Sequence, residues 1–378
     1  RLFLLHIFAI SVVCVACSMP AKQTNQTPVD PWVQGPHVAG HTTIAIDDRT
    51  RLRTLVVEVW YPTIEQSAPG EAILEFEENS QSRETLTGLL EKSPMNCTTR
   101  ITQSVRDGRA NVELGPRPLI VFSHCQNCGR YSTFSIAERL ASHGMVVVSV
   151  DHAGEMPYDP DASGETLSME QLSERVRDIR TTIDSALDGV LFGQSEVLKS
   201  VSVDPSRIGI LGHSFGAVTA GKVVQNDPRV RAVAGLAAPI DNVLFPGVSI
   251  DEINVPLLLV LAEEDNSILE LGNDFIRANY VDANPPVWRI DVADAGHWSF
   301  SDLCGLTMSF LPGCGSGQRH SAGRTGETFD YRPVAEIIQL TQQYTTAFFL
   351  AYLDGRMDAF NRLSGESDEG VTVHVRLD

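Results

Sequence analysis

The stretch Arg207-Ile208-Gly209-Ile210-Leu211-Gly212-His213-Ser214-Phe215-Gly216-Ala217-Val218-Thr219-Ala220 constrains the fold more than any other. A short apolar run, then Gly-x-Ser-x-Gly, then small helix-compatible residues, describes a strand, a sharp turn and a helix. The turn forces its apex into a strained backbone conformation. A side chain two positions before or after that apex would collide with the packed strand and helix, which accounts for Gly212 and Gly216. Ser214 then stands at the carboxyl end of a strand, with the first amides of the next helix aimed at whatever it attacks. This makes it a candidate nucleophile.

Around that stretch the chain alternates strand and helix. Thr42 to Ile46 and Leu55 to Tyr61 read as two paired strands, and Leu119 to Phe122 as a continuous apolar strand followed by a helix over Phe134 to His143. Met145 to Val150 is a buried strand, and Leu172, Val176, Ile179, Ile183 and Leu187 recur at helical spacing. Further strands are expected at Val230 to Leu236, Pro256 to Leu261 and Val287 to Val292, and a final amphipathic helix carries Val334, Ile337, Ile338, Tyr344 and Phe348. Apolar strands alternating with helices predict a mostly parallel central sheet covered on both faces, an α/β fold. Residues 64–116 lack a strong period beyond one helix near Ser82 to Leu90, and are expected to be an insertion in a single domain spanning 38–378.

A nucleophilic serine needs a base, an acid to orient that base, and donors for the oxyanion. The base is expected to be His297, in Asp294-Ala295-Gly296-His297-Trp298, just past a late strand. The acid is expected to be Asp265, a few residues beyond the strand ending at Leu261, from where a loop side chain reaches the elbow. Asp241, which follows the strand after the elbow, is a rival, and Glu263, Glu264 and Asp294 lie close in sequence. His124 and His152 end strands but precede Ser214, and are read as packing or hydrogen-bonding residues. His213 is a variable position of the motif. The oxyanion donors are expected to be the amide of Phe215 and that of Gln126, in the loop Ser123-His124-Cys125-Gln126-Asn127-Cys128-Gly129. Cys125 stands there where a glycine is usual.

With these residues in view, the chain resembles the α/β-hydrolases, and within them the platelet-activating factor acetylhydrolases and dienelactone-hydrolase-like bacterial esterases. The resemblance rests on Val57-Glu58-Val59-Trp60-Tyr61-Pro62, Val121-Phe122-Ser123-His124, Leu140-Ala141-Ser142-His143-Gly144, Gly212-His213-Ser214-Phe215-Gly216 and Gly296-His297-Trp298-Ser299-Phe300-Ser301-Asp302. It covers about residues 40–350 apart from 64–116. It implies cofactor-free hydrolysis of small-molecule or lipid carboxylic esters through an acyl-enzyme, with short or oxidised acyl groups. Another acyl reaction on the same fold (polyester or cutin hydrolysis, peptide hydrolysis, transfer to an acceptor other than water) and a catalytically silent binding module are the alternatives.

Residues 1–17 read as an export signal: Arg1, an apolar run from Leu2 to Ala16 too short to span a membrane, then Cys17-Ser18. Cys14-Val15-Ala16-Cys17 resembles a lipobox, so Cys17 is a candidate lipidation site and membrane anchor, and a periplasmic or extracellular location is expected. Residues 18–37, rich in Gln, Thr and Pro, read as a disordered tether. A net charge of −19 argues against nucleic acid and anionic membrane surfaces as partners, since both would repel the chain. Export permits oxidation, so a disulfide is expected between Cys304 and Cys314, which bracket a Gly- and Pro-containing loop; Cys97, Cys125 and Cys128 stay unassigned.

Overall fold

The computed structural model describes residues 28–152 and 167–378, so the expected export signal and Cys17 lie outside the described residues. Two strands open the fold, β1 (Ala39–Asp48) and β2 (Arg53–Pro62), antiparallel with Ile44 opposite Val57. After helix α1 (Ser80–Lys92) a two-residue strand β3 (Val105–Arg106) pairs with β1. The alternation then runs β4 (Arg117–Ser123), α2 (Phe134–Ser142), β5 (Val146–Val150), α3 (Met169–Leu187), β6 (Val203–His213), α4 (Phe215–Asn226) and β7 (Val230–Leu236). It closes with β8 (Leu257–Ala262), α5 (Leu269–Asp282), β9 (Val287–Val292), α6 (Val334–Leu353), α7 (Met357–Leu363) and β10 (Val371–Arg376).

These strands form one ten-stranded sheet in the order β10-β9-β8-β7-β6-β4-β5-β2-β1-β3. From β9 across to β5 every pairing is parallel, whereas β10 and β2 join antiparallel. Side-chain alternation divides the core between the two faces. Ile120 and Phe122 of β4 pack on the side of Phe348 and Ile337 from α6. Leu119 and Val121 pack on the other side with Ile179 and Ile183 of α3 and Ala220 and Val223 of α4. β6, which leads into Ser214, therefore lies in the interior of the sheet, and its end is as rigid a platform as the fold provides.

Several expectations are corrected. The chain does not end on the amphipathic helix, because β10 returns to pair with β9, Trp288 opposite Val375. Its pattern is that of a half-buried edge strand, whose signal is weak. Residues 28–37 are anchored rather than loose: Trp32 is buried, its ring packs edge-on against Tyr344 at 5.2 Å, and its indole N–H donates to Asp368 at 3.1 Å. One buried indole supplies the apolar area that the Gln/Thr/Pro composition of the preceding residues lacks. The 64–116 segment is partly built into the domain through β3 and through Phe76, whose ring stacks on Tyr131 at 5.3 Å.

The expected Cys304–Cys314 disulfide is not formed. Cys314 is bonded to Cys97, at a Cα separation of 5.8 Å across 217 positions of chain, and Cys125 is bonded to Cys128. The sulfurs of Cys97, Cys304 and Cys314 all lie within 4.8 Å of one another, so nearness in sequence does not decide the pairing. Cys304 stays a buried thiol, which burial pushes up to about 12 against the opposing pull of Arg100. Closing so long a loop is worth about 5 kcal/mol in the chain-entropy model, and it fastens the 64–116 segment to the loop beyond His297. No described helix is long and apolar enough to cross a membrane.

Candidate active site

Ser214 sits between β6 and α4 at φ 55° and ψ −124°, a left-handed conformation that a serine adopts only under constraint. The constraint is visible. The Ser214 amide donates to the Leu236 carbonyl at 2.9 Å and its carbonyl accepts from Ala217 at 2.8 Å. A Cβ on Gly212 would meet the Gly216 carbonyl at 2.1 Å, and one on Gly216 would lie against the Ser123 carbonyl. Both glycines are thus spatial requirements, as the motif's spacing implies. The second contact also shows that the loop after β4 crosses directly over the start of α4.

Three of the expected residues come together here. His297, which opens a short turn of helix after β9, has Nε2 2.8 Å from the Ser214 hydroxyl oxygen, and its Nδ1–H donates to Asp265 Oδ2 at 2.8 Å. Asp265 is wholly buried, and its other oxygen accepts the amides of Ser267 and Ile268 at 2.9 and 3.0 Å, which fixes the carboxylate plane. The rivals are committed elsewhere. Asp241 accepts the Ile250 amide at 3.1 Å, and Glu264 and Asp294 both pair with Arg319, at 2.8 and 2.6 Å. Burial and the neighbouring Asp291, Glu264 and Asp294 charges push the Glu263 carboxyl upward.

His213 has a part that its place in the motif hides. Its Nε2–H donates to the His297 carbonyl at 3.0 Å, which steadies the backbone that carries the His297 ring. Burial, with the adjacent His297, pushes its imidazole down to about 3 and keeps it neutral. Trp298 packs edge-on to the His297 ring at 5.2 Å and against Phe310 at 4.3 Å. It is a supporting wall, not part of the pocket lining.

The loop after β4 carries Gln126, the expected second oxyanion donor, flanked by the Cys125–Cys128 disulfide. His124 and His152 lie behind it in a buried network, the reading their positions suggest. The His152 amide donates to His124 Nε2 at 3.1 Å, and His152 Nδ1 lies 2.9 Å from Asp178. Burial drives both imidazoles well below the ordinary value.

An apolar pocket of about 290 Å³ opens beside Ser214, walled by Phe215, Val218, Pro239, Phe245, Ile268 and Phe275. Leu244 and Leu271 stand at its mouth and are 75% and 66% exposed, and neighbouring Val243 is 72% exposed. No residue of 64–116 lines this pocket.

Asp302, a few residues past His297, ties the site to α2. Its carboxylate accepts the amide of Ser135 at 3.0 Å and the Ser135 hydroxyl, at the first turn of a helix whose own N-cap residue supplies no side-chain bond. Burial pushes this carboxyl from 3.8 up to about 7, opposed by the Ser135 hydrogen bonds and aided by Glu138. A folded pKa above the unfolded one means that the folded protein holds a proton which the unfolded chain releases. The associated stability is therefore complete below about pH 4 and declines as pH rises toward 7. Asp302→Asn keeps an acceptor and removes the titration. We expect the Tm of wild type relative to Asp302→Asn to fall between pH 4 and 7 and then level; a difference constant across pH 4–8 would refute this.

The chain is similar to several known proteins. Two family models match, described as PET hydrolase-like over residues 129–271 and as platelet-activating factor acetylhydrolase, isoform II, over residues 21–177. Ser214 and Asp265 fall within the first match, while His297 lies beyond both. Platelet-activating factor acetylhydrolase of Cavia porcellus is 31% identical over 159 residues, 34% of this chain and 36% of that protein. Lipase 1 of Moraxella sp. (strain TA144) is 28% identical over 182 residues, 48% of each. The chain spans about a third to a half of the length of these curated relatives. A solved ferulic acid esterase from Streptomyces cinnamoneus superposes with a TM-score of 0.66 at 22% identity, covering 89% of this chain and 96% of that one. The chain has the α/β-hydrolase fold and resembles the platelet-activating factor acetylhydrolases.

Proposed function

We propose that the protein is a serine carboxylic ester hydrolase acting through an acyl-enzyme on small-molecule or lipid esters. One observation carries the reading: a continuous hydrogen-bonded line, Asp265 to His297 to Ser214, with 2.8 Å at each step, ending at an apolar pocket. Ser214 Oγ attacks the ester carbonyl while His297 Nε2 takes its proton, and the oxyanion is held by the amides of Phe215 and Gln126. The tetrahedral intermediate collapses as His297 returns the proton to the leaving alcohol, which leaves the acyl group on Ser214. Water, deprotonated by the same ring, adds to the acyl carbon, and Ser214 departs with the proton. Asp265 holds His297 in the Nδ1–H tautomer and balances the imidazolium.

At about 290 Å³ the pocket lies at the lower end of the roughly 300–1,000 Å³ typical of ligand sites, which suits a short or compact acyl group. Acetyl to butyryl p-nitrophenyl esters are expected to be hydrolysed faster than long-chain ones. A clear maximum at C12 or longer would overturn that substrate assignment. The exposed apolar rim of Val243, Leu244 and Leu271, together with the PET hydrolase-like match, supports a second reading in which the ester is presented on an apolar solid such as a polyester. Release of soluble acid from a polymer film, set against the ester panel and an anilide, separates these readings from each other and from a peptidase. Complete inertness to a fluorophosphonate would favour a silent binding module. Residues 1–17 and the two disulfides support an exported protein, either free or anchored through Cys17. Mass analysis of the mature N-terminus distinguishes the two forms.

A further inference from the structure

We propose that Arg175 is the residue that positions the oxyanion hole, joining its two halves from α3. The inference rests on the hydrolase reading above and deepens it. Arg175 is 1% exposed on the inner face of α3, whose start is fixed by a capping box between Ser168 and Gln171. Its guanidinium donates from one nitrogen to the His124 carbonyl at 2.6 Å and from the other to the Cys125 carbonyl at 3.1 Å. The central carbon of the same group lies over the Phe215 ring, 4.6 Å from its centroid. One side chain thus grips both the loop after β4 and the first residue of α4, the two segments assigned as oxyanion donors. A planar fork with fixed donors can do this, and a single ammonium cannot.

The Cys125 carbonyl matters because it shares a peptide unit with the Gln126 N–H. In a trans peptide the carbonyl and the following N–H point in opposite directions, so fixing one fixes the other. Three donors converge on that carbonyl: Arg175, the His124 ring Nδ1–H at 2.7 Å and the Cys128 amide at 3.3 Å. His124 donates from Nδ1 because its Nε2 is occupied as an acceptor from the His152 amide. Together they fix the direction of that carbonyl and, through the peptide plane, the direction of the Gln126 N–H assigned to the oxyanion. The Cys125–Cys128 disulfide locks the same loop covalently. Because Arg175 acts through the carbonyls of His124 and Cys125, its effect is expected on the transition state, where the oxyanion exists, and not on ground-state binding.

The test uses the full oxidised chain with Arg175→Met and Arg175→Lys. Arg175→Met is expected to lower kcat about 100-fold with KM changed less than about threefold, the scale of losing one oxyanion donor. Arg175→Lys, which reaches one carbonyl, should recover part of that loss, to within about tenfold of wild type. Affinity for an arylboronic acid, which forms a tetrahedral adduct on Ser214, should fall in step with kcat. Amide hydrogen exchange of the peptide spanning 124–128 should quicken at least tenfold in both variants while that of β4 is unchanged. A folded Arg175→Met enzyme with wild-type kcat, or one whose loss is all in KM, overturns the proposal, and so does unaltered exchange at 124–128. If Arg175→Met does not fold, Arg175→Lys decides by the same readings. Should wild type hydrolyse no ester, the hydrolase reading fails, and the exchange measurement alone still decides whether Arg175 positions the loop.

Discussion

Ser214→Ala and His297→Ala are each expected to reduce kcat by about 10⁶-fold, to the level left by binding and the oxyanion donors alone. The two substitutions remove different parts of one proton relay, so neither survives as a partial catalyst. Without Oγ there is no atom to carry the acyl group. Without the imbidazole-bearing side chain of His297, Ser214 keeps its proton at any pH near neutrality, and nothing protonates the leaving alcohol. Losses of this size are interpretable only if the fold survives, and the structure says it will. Ser214 is held by its backbone, through Leu236 and Ala217, and its hydroxyl contact is to His297. An alanine at φ 55° bears the same backbone strain as the serine it replaces. Initial rates on p-nitrophenyl acetate, with circular dichroism to check folding and fluorophosphonate labelling to count competent nucleophiles, test both variants. Retention of more than about 1% of wild-type kcat by folded Ser214→Ala would place the nucleophile elsewhere.

How far the site could be read from the sequence depends on whether each signal was local. The Gly-x-Ser-x-Gly spacing was legible because its cause is local: Gly212 and Gly216 face each other across one turn. His297 was legible because it follows Gly296, just past the late strand that ends at Val292, and comes after the acid in the chain. The partners of the rival carboxylates were not. Glu264 is neutralised by Arg319, 55 positions on, and nothing within either segment records that pairing. The disulfides show the same limit, since Cys97 meets Cys314 across 217 positions. Arg175 did leave a trace: it sits on the Leu172, Val176, Ile179 face of α3, and a charge on an otherwise apolar stripe marks a buried partner. The parallel sheet was read from apolar strand runs. Its antiparallel edge β10 was missed because a short, half-exposed strand carries little burial signal.

Asp265→Asn is expected to lower kcat by about 10³ to 10⁴-fold, and Asp241→Asn by less than about tenfold, although both residues follow a strand on the same side of the sheet. Asp265 uses its two oxygens differently: Oδ1 accepts the amides of Ser267 and Ile268, and Oδ2 accepts the His297 Nδ1–H. An asparagine must keep its carbonyl oxygen toward the two backbone amides, because turning its NH₂ group toward them would set donor against donor. The NH₂ group then faces His297 Nδ1 and donates to it, so the ring takes the Nε2–H tautomer. That tautomer presents a proton to Ser214 where an acceptor is needed, and the relay stops with every atom still in place. Asp241 has no such connection. Its carboxylate accepts the Ile250 amide, and its backbone exchanges two hydrogen bonds with the Asn279 side chain, which fastens the rim of the pocket and not the imidazole. Asparagine at 241 still offers an oxygen to Ile250, so the cost should be small and should fall on KM as much as on kcat. Raising pH is not expected to rescue Asp265→Asn, since the fault lies in which nitrogen carries the proton and not in how many protons the ring holds. A folded Asp265→Asn enzyme with near-normal kcat beside an inactive Asp241→Asn would move the acid to Asp241 and break the line from Asp265 to Ser214 as the basis of catalysis.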